Sequence, residues 1–213
     1  MKIIKVKIRR TDEQGADIGF KAYEIPSEPR DTVLHALQYI YSKVDSTLAF
    51  RYSCRFKKCG LCAVLISGKP RLACLTTLEN GMKVEPLSNL PVIRDLAVDR
   101  RQLFDQLRSL SLFPITKNRV NNPLKIPDRY YNLSACLECL CCHSQCTAFK
   151  DEPGFAGPFA MVKLAQMHFH PQDFLDRRKQ AKDLGMDRCL KCAGCFCPYG
   201  INITRDVIQA LLA

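Results

Sequence analysis

Ser53-Cys54-Arg55-Phe56-Lys57-Lys58-Cys59-Gly60-Leu61-Cys62, closed by Leu72-Ala73-Cys74, is the stretch that decides the fold. Four residues separate the first two cysteines, two the next pair, and eleven lead to Cys74. This is the ligand spacing of a plant-type 2Fe-2S cluster. A small anionic cluster needs a loop curled around it, with sulfurs turned inward and backbone N–H groups aimed at them. Gly60 stands where tight curvature, or a positive φ, is needed. Cys74 arrives from the following strand pair and closes the cage. A structural zinc site would show two Cys-x2-Cys pairs, which the x4 gap does not fit.

The chain has thirteen cysteines in 213 residues, all in three groups. In the second group, Cys136-x2-Cys139-x2-Cys142-x3-Cys146 is the spacing of two-cluster ferredoxins, in which the fourth cysteine serves the other cluster. Cys136, Cys139 and Cys142 are therefore expected to hold a 4Fe-4S cluster. Its fourth ligand is assigned to Cys197, which precedes Pro198. Cys146, followed by Thr147 rather than proline, crosses to the third cluster. Cys141 is spare, and a non-ligand thiol there reads as a small buried hydrophobe. The third group allows two readings. Cys189, Cys192 and Cys195 with Cys146 supply four ligands for a second 4Fe-4S cluster. Alternatively Cys189, Cys195 and Cys146 hold a 3Fe-4S cluster and Cys192 is free. Counting favours the first, because three four-ligand clusters take every cysteine except Cys141. One residue separates Cys195 from Cys197 where three is usual.

Working outward, the first hundred residues read as mixed α/β. Ile4, Val6 and Ile8 alternate with Lys5, Lys7 and Arg9, a half-buried strand. Phe20 to Ile25 resumes the strand pattern after a polar turn. Asp31 or Thr32 caps a helix with apolar positions Val33, Leu34, Leu37, Ile40, Tyr41 and Val44. A strand at Ala63–Ile66 and a turn at Ser67–Pro70 follow the cysteine loop. This is an α+β pattern: a small β-grasp sheet on one helix over residues 1–100. Residues 101–213 read as a helical domain. Leu96, Leu103, Phe104, Leu107 and Leu110 fit one helical face, Asn121-Asn122-Pro123 marks a loop, and helices are expected over Phe159–His168, Arg177–Leu184 and Asp206–Leu212, the last with Thr204 as a candidate cap.

The net charge of +11 divides almost evenly, +6 over residues 1–100 and +5 over the rest. A nucleic-acid binder shows a basic stripe with interleaved aromatics, which is absent, so no nucleic-acid partner is expected. Arg55, Lys57 and Lys58 would stabilise the reduced form of a negatively charged cluster. No apolar run reaches about 18 residues, and Met1–Val6 alternates charge with apolarity, unlike a signal peptide. The expected compartment is the cytoplasm, where thiols stay reduced and clustered cysteines bind metal. No Ser/His/Asp set, P-loop or Rossmann glycine pattern is found, so no catalytic residue is assigned. His143 is placed to hydrogen-bond a sulfur. His168 and His170 read as helix-end residues, Tyr130 and Tyr131 as packing.

A plant-type domain followed by a helical two-cluster domain resembles the iron–sulfur subunit of succinate dehydrogenase and fumarate reductase. Ser53–Cys62 is similar to that family's first motif, Leu72-Ala73-Cys74 to its closing Leu-Ala-Cys, and Cys136-Leu137-Glu138-Cys139-Leu140-Cys141-Cys142 to its second, extra thiol included. Phe155-Ala156-Gly157-Pro158 is similar to a Gly-Pro stretch that follows. The resemblance implies an electron-transfer subunit without chemistry of its own. It implies an FAD-containing flavoprotein partner, a membrane-anchor subunit with quinone, and a place at the inner face of the cell membrane. The chain also departs from the pattern. The family's third group has three cysteines spaced x5 then x3 and a 3Fe-4S cluster, whereas here Cys192 is added and the last gap is shortened. Quinone-dependent members have a tryptophan shortly after the second motif and often a histidine after the first cysteine of the third. This chain has no Trp, and Leu190 follows Cys189. An unusual anchor, a soluble acceptor, a heterodisulfide- or thiol-linked reductase, or a flavoenzyme acting on another acid or acyl substrate remain open.

Overall fold

The structure is a computed structural model, and it describes residues 2–116, 124–151, 154–192 and 194–213. The Asn121–Pro123 loop lies outside the described residues. The chain divides into two compact units, one of residues 1–100 with 137–144, the other of residues 101–136 with 145–213. The segment 137–144, in the helical half by sequence, thus groups with the first unit.

In the first unit, strands β1 (Lys2–Thr11), β2 (Asp17–Ser27), β3 (Ala63–Ile66), β4 (Lys69–Leu72) and β5 (Lys83–Glu85) form one sheet in the order β2-β1-β5-β3-β4. β1 runs antiparallel to β2 and parallel to β5, and β3 runs antiparallel to both β4 and β5. The period-2 pattern of β1 is realised, with Ile4, Val6 and Ile8 buried and Lys5 and Lys7 exposed. Helix α1 (Val33–Tyr39) starts at Thr32, whose hydroxyl accepts from the His35 N–H while His35 accepts from the Thr32 N–H. This reciprocal cap is worth about 1 kcal/mol. Val33, Leu34, Ala36 and Leu37 are buried.

Two expected features differ. Tyr41 and Val44 are half exposed, because the chain widens after Tyr39 into a π turn, Ile40–Val44, closed by the Asp45 N–H on the Ile40 carbonyl at 2.7 Å. The wider turn rotates them off the buried face. Leu96 is buried but not helical. It lies between β6 (Val92–Arg94) and β7 (Ala97–Val98), and its N–H donates to the Ala49 carbonyl.

The second unit is helical: α2 (Arg101–Arg108) and α3 (Asp128–Ser134) precede the Cys139 segment, whose own helix, α4 (Cys141–Ser144), belongs to the first unit. Then come α5 (Thr147–Asp151), α6 (Gly157–His168), α7 (Arg177–Asp183), a 3₁₀ turn at Met186–Lys191, a π turn at Thr204–Ile208 and α8 (Gln209–Leu212). α6 is buried on nearly all sides, from Gly157 through Ala165, and is the axis of this unit's core. Phe104 of α2 meets Phe159 of α6 edge-to-face at 5.8 Å. Thr204 is not the cap of the last helix. Asn202 Oδ1 instead accepts from the Arg205 N–H at 3.0 Å. Tyr130 packs edge-to-face on His170, but Tyr131 is 74% exposed.

Candidate metal centres

The first cysteine loop is built from backbone turns that most residues avoid. Arg55, Lys57 and Gly60 all have positive φ, at 56°, 62° and 68°. Alternating left-handed residues turn successive N–H groups to one side and make an anion-binding concavity. Here the concavity faces sulfur: the N–H groups of Phe56 and Lys58 lie 3.4 and 3.3 Å from Cys54 Sγ. The Lys58 and Phe56 donors hold the Cys54 thiol down at about 7. Cys62 is buried, and burial pushes its thiol up to about 12, with Cys74 and Cys59 as further influences. Cys59 in turn hydrogen-bonds Cys54. The fold therefore gathers Cys54, Cys59, Cys62 and Cys74, with β4 delivering Cys74 through the Ala73 N–H to Cys62 carbonyl bond of 3.0 Å. The donor set fits a small anionic iron–sulfur cluster: four thiols, with N–H groups that favour the ionised form of Cys54.

The glycine in the loop is required by its surroundings as well as by φ. A Cβ on Gly60 would sit 2.4 Å from the Leu137 carbonyl oxygen and 2.9 Å from Cys139 Cβ. The second motif repeats the same backbone device, with Glu138 and Leu140 at φ 53° and 66°. Cys139 is drawn to about 7, first by the Cys141 side chain, against burial, and also by the charge of Arg100. Cys141 is fully buried, and its thiol hydrogen-bonds Cys139 rather than packing as a hydrophobe alone. Cys142 follows in α4. His143 is fully buried, and burial lowers its imidazole to about 4, so it is neutral at pH 7.

Cys136 follows α3, its N–H on the Leu133 carbonyl at 3.1 Å. Cys197 precedes a turn closed by the Gly200 N–H. The residue before Cys136, Ala135, and Tyr199, two beyond Cys197, line one cavity of about 570 Å³.

In the third group the structure brings Cys146, Cys189, Cys192 and Cys195 into one electrostatic neighbourhood. Burial pushes Cys195 up to about 12, with Cys146, Cys189 and Cys192 acting the same way. Burial also pushes Cys189 up to about 11, again with Cys146 and Cys192 beside it, and raises Cys146, which feels Cys192. Cys146 is buried and Cys192 exposed. Among the described residues no three Cys, His, Asp or Glu side chains converge as around a single metal ion. A cluster places its irons and sulfides between the thiolates and asks for a wider set.

Arg100 has no signal in the sequence, where it stands in an ordinary charged run, Asp99-Arg100-Arg101. In the structure it is half-buried, and its Nη2 donates to the Glu138 carbonyl inside the second motif. Burial lowers its guanidinium, while Cys139, Glu138 and Cys59 pull in the opposite sense.

A β-grasp sheet carrying one gathered set of four thiols, and a helical unit carrying another, define an iron–sulfur protein of ferredoxin type. Residues 5–105 match the family described as a 2Fe-2S iron-sulfur cluster binding domain. The chain is 32% identical over 193 residues to the fumarate reductase iron-sulfur subunit of Escherichia coli, covering 85% of this chain and 78% of that protein. It is 34% identical to the subunit of the same name from Mycobacterium tuberculosis, covering 86% and 81%. The chain belongs to the family of succinate dehydrogenase and fumarate reductase iron–sulfur subunits. Over 99% of its length it is also 36% identical to a subunit of the fumarate reductase (CoM/CoB) of Methanothermobacter marburgensis, but it spans only 44% of that protein. Its fold is similar to a chain of the Mycobacterium smegmatis Sdh1 complex, with a TM-score of 0.87, 26% identity and coverage of 98% and 93%.

Proposed function

We propose that this chain is the electron-transfer subunit of a succinate dehydrogenase- or fumarate reductase-like oxidoreductase and carries no catalytic residue itself. Cys54, Cys59, Cys62 and Cys74 hold a 2Fe-2S cluster; Cys136, Cys139, Cys142 and Cys197 a 4Fe-4S cluster; Cys146, Cys189, Cys192 and Cys195 a third, 4Fe-4S rather than 3Fe-4S. Residues 1–100 and 101–213 are read as the β-grasp and the helical cluster-binding domains. The observation that carries the reading is the Cys54 loop, where three left-handed residues and two N–H groups prepare a sulfur for negative charge. Bound in these sets, the clusters supply one-electron carriers between an FAD-containing flavoprotein subunit and a quinone or other acceptor. The protein's own part is to gather the thiols, shield them and set the surrounding charge.

The flavoprotein and a membrane-anchor subunit are the proposed partners, at the inner face of the cell membrane. Among the described residues no helix is long and apolar enough to cross a membrane. Anaerobic purification with iron and sulfide analysis tests the ligand sets. On the order of ten irons and ten sulfides per chain are expected for one 2Fe-2S and two 4Fe-4S clusters. Colourless protein with zinc and no iron would sink the reading.

A second reading takes a thiol- or heterodisulfide-linked acceptor in place of quinone. The added Cys192 and the likeness over the whole chain to a protein named fumarate reductase (CoM/CoB) favour it. Co-purification with the partner subunits, followed by assay of quinone analogues against thiols and disulfides, separates the two.

A further inference from the structure

Two cysteine motifs of the first unit touch at one place. The Gly60 backbone lies against Leu137 and Cys139, and no side chain fits between them. A narrow cleft of about 20 Å³ runs along this contact, and Gly60, Arg51, Arg100 and Cys139 line it. Arg100 reaches into the second motif and donates from Nη2 to the carbonyl of Glu138, the residue before Cys139. The residue before Gly60 is Cys59. The guanidinium thus stands on the cleft between the Cys59-Gly60 turn and Cys139, and the Cys59 and Cys139 thiols both act on it.

We infer that Arg100 is a positioning residue shared by both sets: its fixed charge raises the reduction potentials of the groups held by Cys59 and by Cys139 together. The inference rests on the proposed ligand sets. Each one-electron reduction adds one negative charge to the group and moves no proton, so a neighbouring fixed cation favours the reduced form. Arginine keeps its charge even when partly buried, and its planar fork can hold the Glu138 carbonyl while the charge acts on both sides. Burial strengthens the effect, because a half-buried charge is screened less than one in water. The influence of Cys139, Glu138 and Cys59 on the Arg100 guanidinium agrees with this placement.

The test is a redox titration followed by EPR on the iron-loaded protein, comparing wild type with Arg100→Gln, Arg100→Lys and Lys2→Gln, the last an exposed charge on β1. In R100Q the midpoints of the 2Fe-2S signal and of the signal lost on Cys139→Ala should both fall. The expected change is about tenfold in the reduction equilibrium, about 59 mV for one electron. R100K should stay near wild type, and K2Q should move neither. Midpoints in R100Q that match K2Q, a shift in one signal only, or an equal fall in R100K would each overturn the inference. Should R100Q not load iron, Glu138→Gln carries the test by sign, since the Glu138 carboxylate acts on the same guanidinium and removing its negative charge must raise both midpoints. Absence of the cluster signals from wild type would instead defeat the ligand assignment.

Discussion

The α-carbon of Gly60 faces the carbonyl oxygen of Leu137 so closely that an added methyl carbon would lie 2.4 Å from it. Gly60→Ala is therefore penalised twice. Its φ of 68° is left-handed, at a cost of about 1 kcal/mol for a residue with a Cβ. The methyl also meets backbone, which cannot rotate away, so the two motifs must part; overpacking of this kind costs about 1–3 kcal/mol more. Denaturant unfolding of G60A should show a loss of about 2–4 kcal/mol, and its 2Fe-2S signal should weaken before that of the third group. A variant as stable as wild type would mean that the loop yields freely.

Arg177 and Asp173 form a buried ion pair at 2.6 Å, with side-chain exposures of 0% and 1%. Arg177 further donates to the carbonyls of Leu110, Ser111 and Phe113 and to Gln180. One guanidinium thus ties the segment after α2 to the start of α7. Burial pushes the Asp173 carboxyl up, but Arg177 and the N–H groups of Ile115 and Leu175 outweigh it and hold the group below the ordinary carboxylate value. Arg177→Met removes the buried charge that pairs with Asp173 and a side-chain donor to three carbonyls, of which Leu110 keeps Gln180 and Ser111 keeps the Phe113 N–H, and should cost about 3–5 kcal/mol. Arg177→Met with Asp173→Leu should recover part of that loss, which a double-mutant cycle reads directly.

The three cysteine groups stand out in the sequence because ligand chemistry restricts cysteine spacing, and β1 and α1 were legible because one face of each is buried. What the sequence hid depends on backbone conformation and distant partners. The π turn after Tyr39 undoes a helical period that Tyr41 and Val44 continue in the sequence. Leu96 has the right spacing for α2 but is held by Ala49, far away in the chain. The left-handed residues Arg55, Lys57, Glu138 and Leu140 carry no glycine or asparagine to announce them. Arg100 is one of 32 basic residues, and only its burial against the second motif sets it apart.

Asp45 is the hub of a polar network in the first unit. It accepts from Lys21, Arg10 and Tyr23 at 2.8, 2.7 and 2.8 Å and from Thr47. The Lys21 and Thr47 donors hold its carboxyl far below the ordinary range, with burial opposing and Arg10 and Tyr23 adding to the effect. A folded value below the unfolded one gives stability that is complete above about pH 3.9 and is lost as pH falls toward the folded value. Asp45→Asn should cost about 2–3 kcal/mol at pH 7. At pH 3 the gap to wild type should narrow by about 1 kcal/mol. Urea midpoints of both proteins at the two pH values provide the check; a gap independent of pH would show that the network does not depend on the carboxylate charge.

Cys192 and Cys141 are the two cysteines whose roles separate most sharply. Cys192 is exposed, yet its thiol acts on Cys146, Cys189 and Cys195, the neighbourhood expected of a fourth ligand. Cys141 is fully buried and sits beside Cys139. If twelve thiols bind iron and Cys141 does not, Cys192→Ala should convert the third site from four irons to three, losing one iron per chain and gaining the EPR signal of an oxidised 3Fe-4S cluster. Cys141→Ala should keep the full iron content, lower stability by about 1 kcal/mol through the small cavity it leaves, and shift only the midpoint of the cluster that Cys139 serves. Should wild-type protein already carry the three-iron signal in full when prepared without air, Cys192 is not a ligand, and the third set is Cys146, Cys189 and Cys195 alone.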